Sequence, residues 1–343
     1  MRQKHGPFRT VTIAAFVLVV AFSIAATRHT AATEHAKSPV GVKSPVGVKS
    51  PARARPPEST LPTLRPEWIG GTGGVFYRNM VVVLTWHNIA PKGVYDTISV
   101  QNFALEMQAL RQDNFHPVSP ALFSRFIQHK ARVPDNAVLL TFDNGCVGVY
   151  TYGWPIIERY RYPVLLFPVF GRTNVQPGFF TSGEILTMVH SGLATLGSHT
   201  YAEHYGAPAG PTTSGPADIV RIWNGHFPET LQQYDARVEN DAQRAMRAIQ
   251  SFAGRKEPYF SDPFGQYTPR LLGLLSRAGF TEDFTTLGWA VTQSTPADRL
   301  PRINVGTGTS TASSMVGATL DVARLTAQDP TWYPPASWTT MWP

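Results

Sequence analysis

The chain is poor in cysteine and in charge. Its 343 residues include one cysteine, Cys146, and only 15% are Asp, Glu, Lys or Arg. A lone thiol excludes an intramolecular disulfide framework and any multi-cysteine zinc or iron–sulfur site. No Gly-rich phosphate loop of either standard spacing stands at a strand–helix junction, so nucleotide chemistry is not indicated. Acidic residues are scarce at one end only. Residues 1–65 carry ten Lys/Arg against Glu34 and Glu58, whereas residues 66–343 carry 20 basic and 21 acidic side chains. The formal charge of +7 therefore belongs to the N-terminus. The near-neutral remainder excludes nucleic acid as the default partner.

The N-terminal apolar run, residues 11–26, has 16 uncharged residues behind Arg2, Lys4 and Arg9. That is short of the roughly 20 apolar residues of a spanning helix and typical of an export signal. Residues 1–32 are assigned as a signal peptide or signal anchor, with cleavage and retention both open. The product is then exported, either secreted or anchored outside the cytoplasm, and touches the membrane through this segment if it is uncleaved. Lys37-Ser38-Pro39-Val40-Gly41-Val42 repeats from Lys43 and begins again at Lys49. Regular prolines and few large apolar groups make residues 33–65 a Pro-rich, low-complexity linker. Residues 66–343 are left as the globular domain.

Short β-branched runs alternate with helical patterns along this domain. Val81-Val82-Val83-Leu84-Thr85 and Ala137-Val138-Leu139-Leu140-Thr141 read as buried strands, as do residues 164–169 and 193–198. Phe103, Met107 and Leu110 predict a helix over 102–112, and Ser119-Pro120 supplies an N-cap and a proline at the first turn of the next. A helix is also expected over 147–160. Thr181 and Glu184 have the capping-box spacing. An apolar stripe from Leu231 to Phe252, ended by Gly254, predicts a long helix, and Thr268-Pro269 opens another that Gly279 closes. This alternation over about 250 residues indicates an α/β fold, specifically a (β/α) barrel.

Polar residues cluster just past the strand ends, where barrel sites are built. These are His87 and Asn88, then Asp143-Asn144-Gly145, then His199 and His204, then Asp262-Pro263-Phe264-Gly265. Each has an ordinary structural alternative. A single histidine after a strand commonly caps a carbonyl, histidines five apart are weak evidence for a metal, and Asn-Gly is a turn dipeptide. Their coincidence at successive strand ends is what points to a hydrolytic site.

Leu140-Thr141-Phe142-Asp143-Asn144-Gly145 resembles the Thr-Phe-Asp-Asp-Gly signature of polysaccharide deacetylases, carbohydrate esterase family four. Ser198-His199-Thr200 with His204 resembles the second motif of that family, and Asp262-Pro263-Phe264-Gly265 the third. The five-residue histidine spacing and the early Trp86-His87-Asn88 resemble the poly-β-1,6-N-acetylglucosamine deacetylase branch, as does Leu300-Pro301-Arg302-Ile303. The resemblance implies a distorted (β/α) barrel and metal-dependent N-deacetylation of an amino-sugar polysaccharide. It implies a divalent ion, Zn, Co or Ni, on His199, His204 and Asn144, with Asp143 as base and His87 as acid. Pro263 and Phe264 would line the oxyanion side, and Arg302 is assigned to orienting Asp143. No protein partner is expected.

The main departure is Asn144, which stands where the family has its metal-binding Asp. An amide oxygen can coordinate but brings no charge, so cation affinity should fall. Three readings stay open: a working site with a weaker or different metal, a second carboxylate from elsewhere such as Asp262, and a glycan-binding domain without turnover. A peptidoglycan or chitin deacetylase and an O-acetyl esterase are the alternatives among enzymes. Cys146 is read as a buried free thiol, with a soft metal ligand as its alternative. The aromatic tail of Trp332, Tyr333, Trp338 and Trp342 is expected to pack on the end of the domain away from the site.

Overall fold

A computed structural model describes residues 63–339. The signal-like span 1–32, most of the linker span 33–65 and Trp342 lie outside the described residues. The last residues of the linker span are tied to the domain. The Leu64 N–H donates to Gln293 at 2.8 Å, and the Asn79 amide donates to the Arg65 carbonyl at 2.7 Å. Among the described residues, no helix is long and apolar enough to cross a membrane.

Seven parallel strands carry the site: β1 (Val81–Trp86), β2 (Ala137–Asn144), β3 (Val164–Pro168), β4 (Ala194–Leu196), β5 (Tyr259–Ser261), β6 (Glu282–Phe284) and β7 (Ile303–Asn304). They pair in the order β7-β1-β2-β3-β4, with β5-β6 as a second ladder. Single parallel bridges, Ser198 to Phe260 and Phe284 to Leu300, connect the two ladders at both edges. Strand residues alternate in direction, so both faces of β1 and β2 are buried. Val82, Leu84, Trp86, Val138, Leu140 and Phe142 pack with the helices. Val81, Val83 and Leu139 join Leu165, Phe167, Phe284 and Leu300 in a separate cluster.

Local sequence rules account for most helix ends. Helix α1 (Val100–Gln112) starts at Ser99, whose hydroxyl accepts from Asn102, and α2 (Pro120–Ile127) at Ser119 with proline in its first turn. Helices α4 (Ser182–His190) and α5 (Leu231–Ala253) both open with complete capping boxes. Gly254 at φ 70° ends α5, and Gly279 at φ 104° ends α6 (Pro269–Ala278).

The helix expected over 147–160 is instead a π turn, Val149–Gly153, running into α3 (Trp154–Tyr160). Close packing coincides with the irregularity: a Cβ at Gly148 would overlap the Ile89 carbonyl. The final helix α7 (Ala312–Gln328) was not expected, because its polar and small residues blur any stripe. The tail also differs from expectation. Trp332 packs on Trp289 with centroids 4.6 Å apart, but Trp338 pairs by backbone with Tyr267, two residues past the Pro263–Gly265 turn. The tail thus reaches the strand-exit end of the domain.

Candidate active site

Period-2 alternation along β1 and β2 turns Thr85, Thr141 and Asp143 to one side, where Arg302 arrives from just before β7. Arg302 is fully buried and all its donors are used. Nη1 donates to Asp143 Oδ1 at 2.8 Å and Nη2 to Asp143 Oδ2 at 2.9 Å, a bidentate fork. Nη1 also reaches the Thr85 and Thr141 hydroxyls at 3.3 Å, Nη2 the Ser261 hydroxyl at 2.8 Å, and Nε the Thr285 carbonyl at 3.1 Å. Ser261 in turn donates to Asp143 Oδ2 at 3.0 Å. Burial would raise the Asp143 carboxyl, but the Arg302 charge and hydrogen bonds, joined by His199 and His87, outweigh it and hold the group ionised, well below the usual carboxylate range. Arg302 and Asp143 are therefore in direct bidentate contact.

Strand β2 ends in two successive left-handed residues, Asn144 at φ 69° and Gly145 at φ 78°. Asparagine tolerates this conformation, and a Cβ on Gly145 would sit 2.9 Å from Pro168. The turn leaves Asn144 Oδ1 buried with no hydrogen-bond partner. Asn144 pairs with Pro168 on β3, and the Pro168 carbonyl accepts the His199 N–H at 3.2 Å, so the amide and the first histidine share a neighbour.

His199 Nδ1 lies 2.7 Å from the Ser261 carbonyl, which only accepts, so Nδ1 carries the proton and Nε2 keeps its lone pair. Burial pushes its pKa down to about 4 despite the opposing pull of Asp143. His204 lies beside it, with ring centroids 4.5 Å apart, and Phe264 stacks on its other side at 4.9 Å. Burial, then His199 and Arg172, holds His204 well below the ordinary imidazole value. Both rings are neutral at physiological pH. The loop between them contains Thr200, a buried β-branched residue at φ 73°, an uncommon and costly conformation. Asp241 on α5 supports that loop by accepting the Tyr201 and Ala202 N–H groups at 2.7 and 2.8 Å.

His87 is half-buried, with Nδ1 buried and unpartnered, and it lies within electrostatic reach of both Asp143 and His199. Asn88, which follows it, reaches Thr97 at 3.4 Å. Phe264 adopts φ 58° in the Pro263–Gly265 turn and leaves its ring edge exposed over His204. The structure thus brings together Asp143, Arg302, His199, His204, Phe264 and the Asn144 turn.

Two suggested extra ligands do not join them. Among the described residues, no group of three or more His, Cys, Asp or Glu side chains could hold a metal ion. Asp262 is fully buried, and the charges acting on it are chiefly Asp283 and Asp218. Burial pushes the Cys146 thiol up to about 11, as expected of an inert thiol. The remaining donor set is two neutral imidazoles and the orphaned amide oxygen of Asn144, which fits a divalent cation but provides no anionic ligand. Sequence reasoning missed Asp241 and Arg172, and it placed Ser261 past a strand end without giving it a role. Asp241 had a signal, a carboxylate on the apolar stripe of α5 beside Val238 and Ala242. Arg172 had none.

The polysaccharide deacetylase family model matches residues 130–282. That segment is similar to a polysaccharide deacetylase domain. It is 27% identical over 247 residues to a poly-β-1,6-N-acetyl-D-glucosamine N-deacetylase of Escherichia coli K12, an alignment covering 66% of this chain and 36% of that protein. The chain therefore spans little more than a third of the length of this curated relative. Among solved structures, a de-N-acetylase from Aggregatibacter actinomycetemcomitans superposes with a TM-score of 0.65 at 22% identity, over 70% of this chain and 99% of that one. IcaB from Ammonifex degensii superposes at 0.57 and 25% identity, over 71% and 97%. These likenesses establish a deacetylase-type α/β fold. His87 and Arg302 lie outside the matched span, although Arg302 grips the Asp143 carboxylate inside it.

Proposed function

We propose that this domain is a hydrolase that removes N-acetyl groups from an N-acetylglucosamine-containing polysaccharide, with a β-1,6-linked polymer as first candidate. The observation that carries the reading is Asp143: a buried carboxylate held ionised by Arg302 beside two neutral imidazoles. The poly-β-1,6-N-acetyl-D-glucosamine specificity in the name of the Escherichia coli relative supports the choice of polymer. The bridges at Ser198–Phe260 and Phe284–Leu300 support reading the two ladders as one distorted (β/α) barrel.

His199, His204 and Asn144 would hold the divalent cation, Zn, Co or Ni, which when bound polarises the acetamide carbonyl and the attacking water. Asp143 takes the proton from that water; Arg302 and Ser261 keep the carboxylate from rotating. His87, once protonated, gives its proton to the departing amine, leaving glucosamine and acetate. The turn at Pro263 and Phe264 lines the side on which the oxyanion develops. Residues 1–32 place the enzyme outside the cytoplasm, secreted or anchored, with residues 33–65 as the spacer.

Acetate release tests this reading. Protein stripped with a chelator and resupplied with Zn²⁺, Co²⁺ or Ni²⁺ should release acetate from poly-β-1,6-N-acetylglucosamine. No acetate from that polymer, chitin oligomers, peptidoglycan or O-acetylated glycans would overturn it. Asn144 favours one other reading, glycan binding without turnover, which would show as retention on the polymer with no acetate under any metal.

A further inference from the structure

The two histidines are not prepared alike. A carbonyl faces Nδ1 of His199, whereas a guanidinium faces Nδ1 of His204. Arg172, in the short turn Phe170–Arg172 that follows β3, donates from Nη2 to the His204 carbonyl at 2.8 Å and approaches His204 Nδ1 at 3.5 Å. The ring's own carbonyl also borders Nδ1 but already accepts from Arg172, and a guanidinium only donates, so this arrangement favours a lone pair on Nδ1 with the ring proton on Nε2. Binding a cation through Nε2 would require that proton to leave, and moving it to Nδ1 would point it at Arg172.

Charge acts in the same direction. Besides His87 and the two rings themselves, the side chains whose charge acts on the imidazoles are Asp143, Arg302 and Arg172. Asp143 is matched by Arg302 in their bidentate pair. Arg172 has no carboxylate partner among the described residues; its other contact is the Phe179 ring, 4.8 Å from the guanidinium carbon. Since Asn144 contributes no charge, Arg172 remains as an uncompensated positive charge behind His204.

We propose that Arg172 is a positioning residue that sets the cation affinity of this cradle, holding it low through its charge and through the His204 tautomer it selects. The inference rests on His199, His204 and Asn144 being the donor set. Tyr201 and Ala202 in the histidine loop have anchors other than the Arg172 side chain. The Gly171 N–H donates to the Tyr201 carbonyl at 2.7 Å, and Asp241 holds Tyr201 and Ala202 from the other side. Loss of the guanidinium therefore removes a charge and the donor to the His204 carbonyl while these anchors remain.

Equilibrium dialysis of the full chain against Zn²⁺ and Co²⁺ tests this, using wild type, Arg172→Met, Arg172→Lys and Asn144→Asp. Arg172→Met should bind at least about tenfold more tightly than wild type, and Arg172→Lys, which keeps the charge, should stay within about threefold. A purely structural role predicts the reverse, weaker binding by Arg172→Met. Long-range ¹⁵N spectra of metal-free wild type should show His199 protonated on Nδ1 and His204 on Nε2. That measurement decides the matter even if Arg172→Met fails to fold: His204 protonated on Nδ1 would overturn the proposal. Binding by wild type or Asn144→Asp with no gain in a folded Arg172→Met would overturn the role of Arg172 alone. No binding by any variant would overturn the donor set itself, and this proposal with it.

Discussion

Asp143 and Asp262 are two buried carboxylates on either side of Ser261, and they take opposite states. Asp143 accepts two bonds from Arg302 and one from Ser261, and is held ionised. Asp262 has no hydrogen-bond partner for either oxygen, and burial followed by the Asp283 charge pushes its pKa well above the usual range. Burial is equal at the two places, so depth does not distinguish them. A single guanidinium does, because in a poorly solvated interior the nearest opposite charge decides which form survives. The ionised group adjoins the histidine pair, and the neutral one faces Asp283 and Asp218.

The contrast breaks most severely if the guanidinium is removed. Arg302→Met should destabilise the fold by about 3–5 kcal/mol in urea titration, because it strands a buried charge, and should abolish acetate release. A variant with unchanged stability would show that Asp143 is not held by this pair.

Glu282 extends the comparison to a third buried carboxyl, near the start of the same strands, where it accepts from Ser124 at 2.8 Å. Burial pushes it up to about 7, against 4.5 in the unfolded chain. Its contribution to stability is full below pH 4.5, declines as pH rises through that window, and stays low above 7. Glu282→Gln should remove this slope and raise stability at pH 8 by about 2–3 kcal/mol, read from melting temperature against pH.

Asp262→Asn should act with the same sign. It replaces a group that must take up a proton on folding, so stability at pH 8 should rise while that of the Arg302 variant falls. A loss of stability would mean that Asp262 is ionised after all.

The smallest change is Ser261→Ala. It removes one bond to Asp143 and one to Arg302 but leaves the carbonyl that sets His199. A cost of about 1 kcal/mol in denaturant unfolding is expected.

Local physics was legible in the sequence. Ser119-Pro120, Thr181 with Glu184, Gly254 and Gly279 mark helix ends through hydrogen bonds or dihedrals only a few residues long. The β-branched runs at 81–85 and 137–141 mark strands because both of their faces are buried. Irregular pieces were harder to read: the π turn at Val149–Gly153 accompanies a close approach to Ile89, and α7 carries no clean stripe. At the site, His87, Asp143, His199 and His204 were found from motif order, and Arg302 from its resemblance to a family segment. Arg172 was not found, because its meaning depends wholly on which histidine nitrogen it meets.

The sequence by itself determined the near-neutral domain, the alternation of strands and helices, and the polar residues at the strand ends, since composition and short-range periodicity are properties of the chain. Only the tertiary structure decided their states. Asp143 and Arg302 are 159 positions apart and meet because β7 returns beside β1. Two histidines of the same residue type differ because one ring nitrogen meets a carbonyl and the other a guanidinium. Charge and tautomer are set by neighbours in space, and those exist only once the strands have paired.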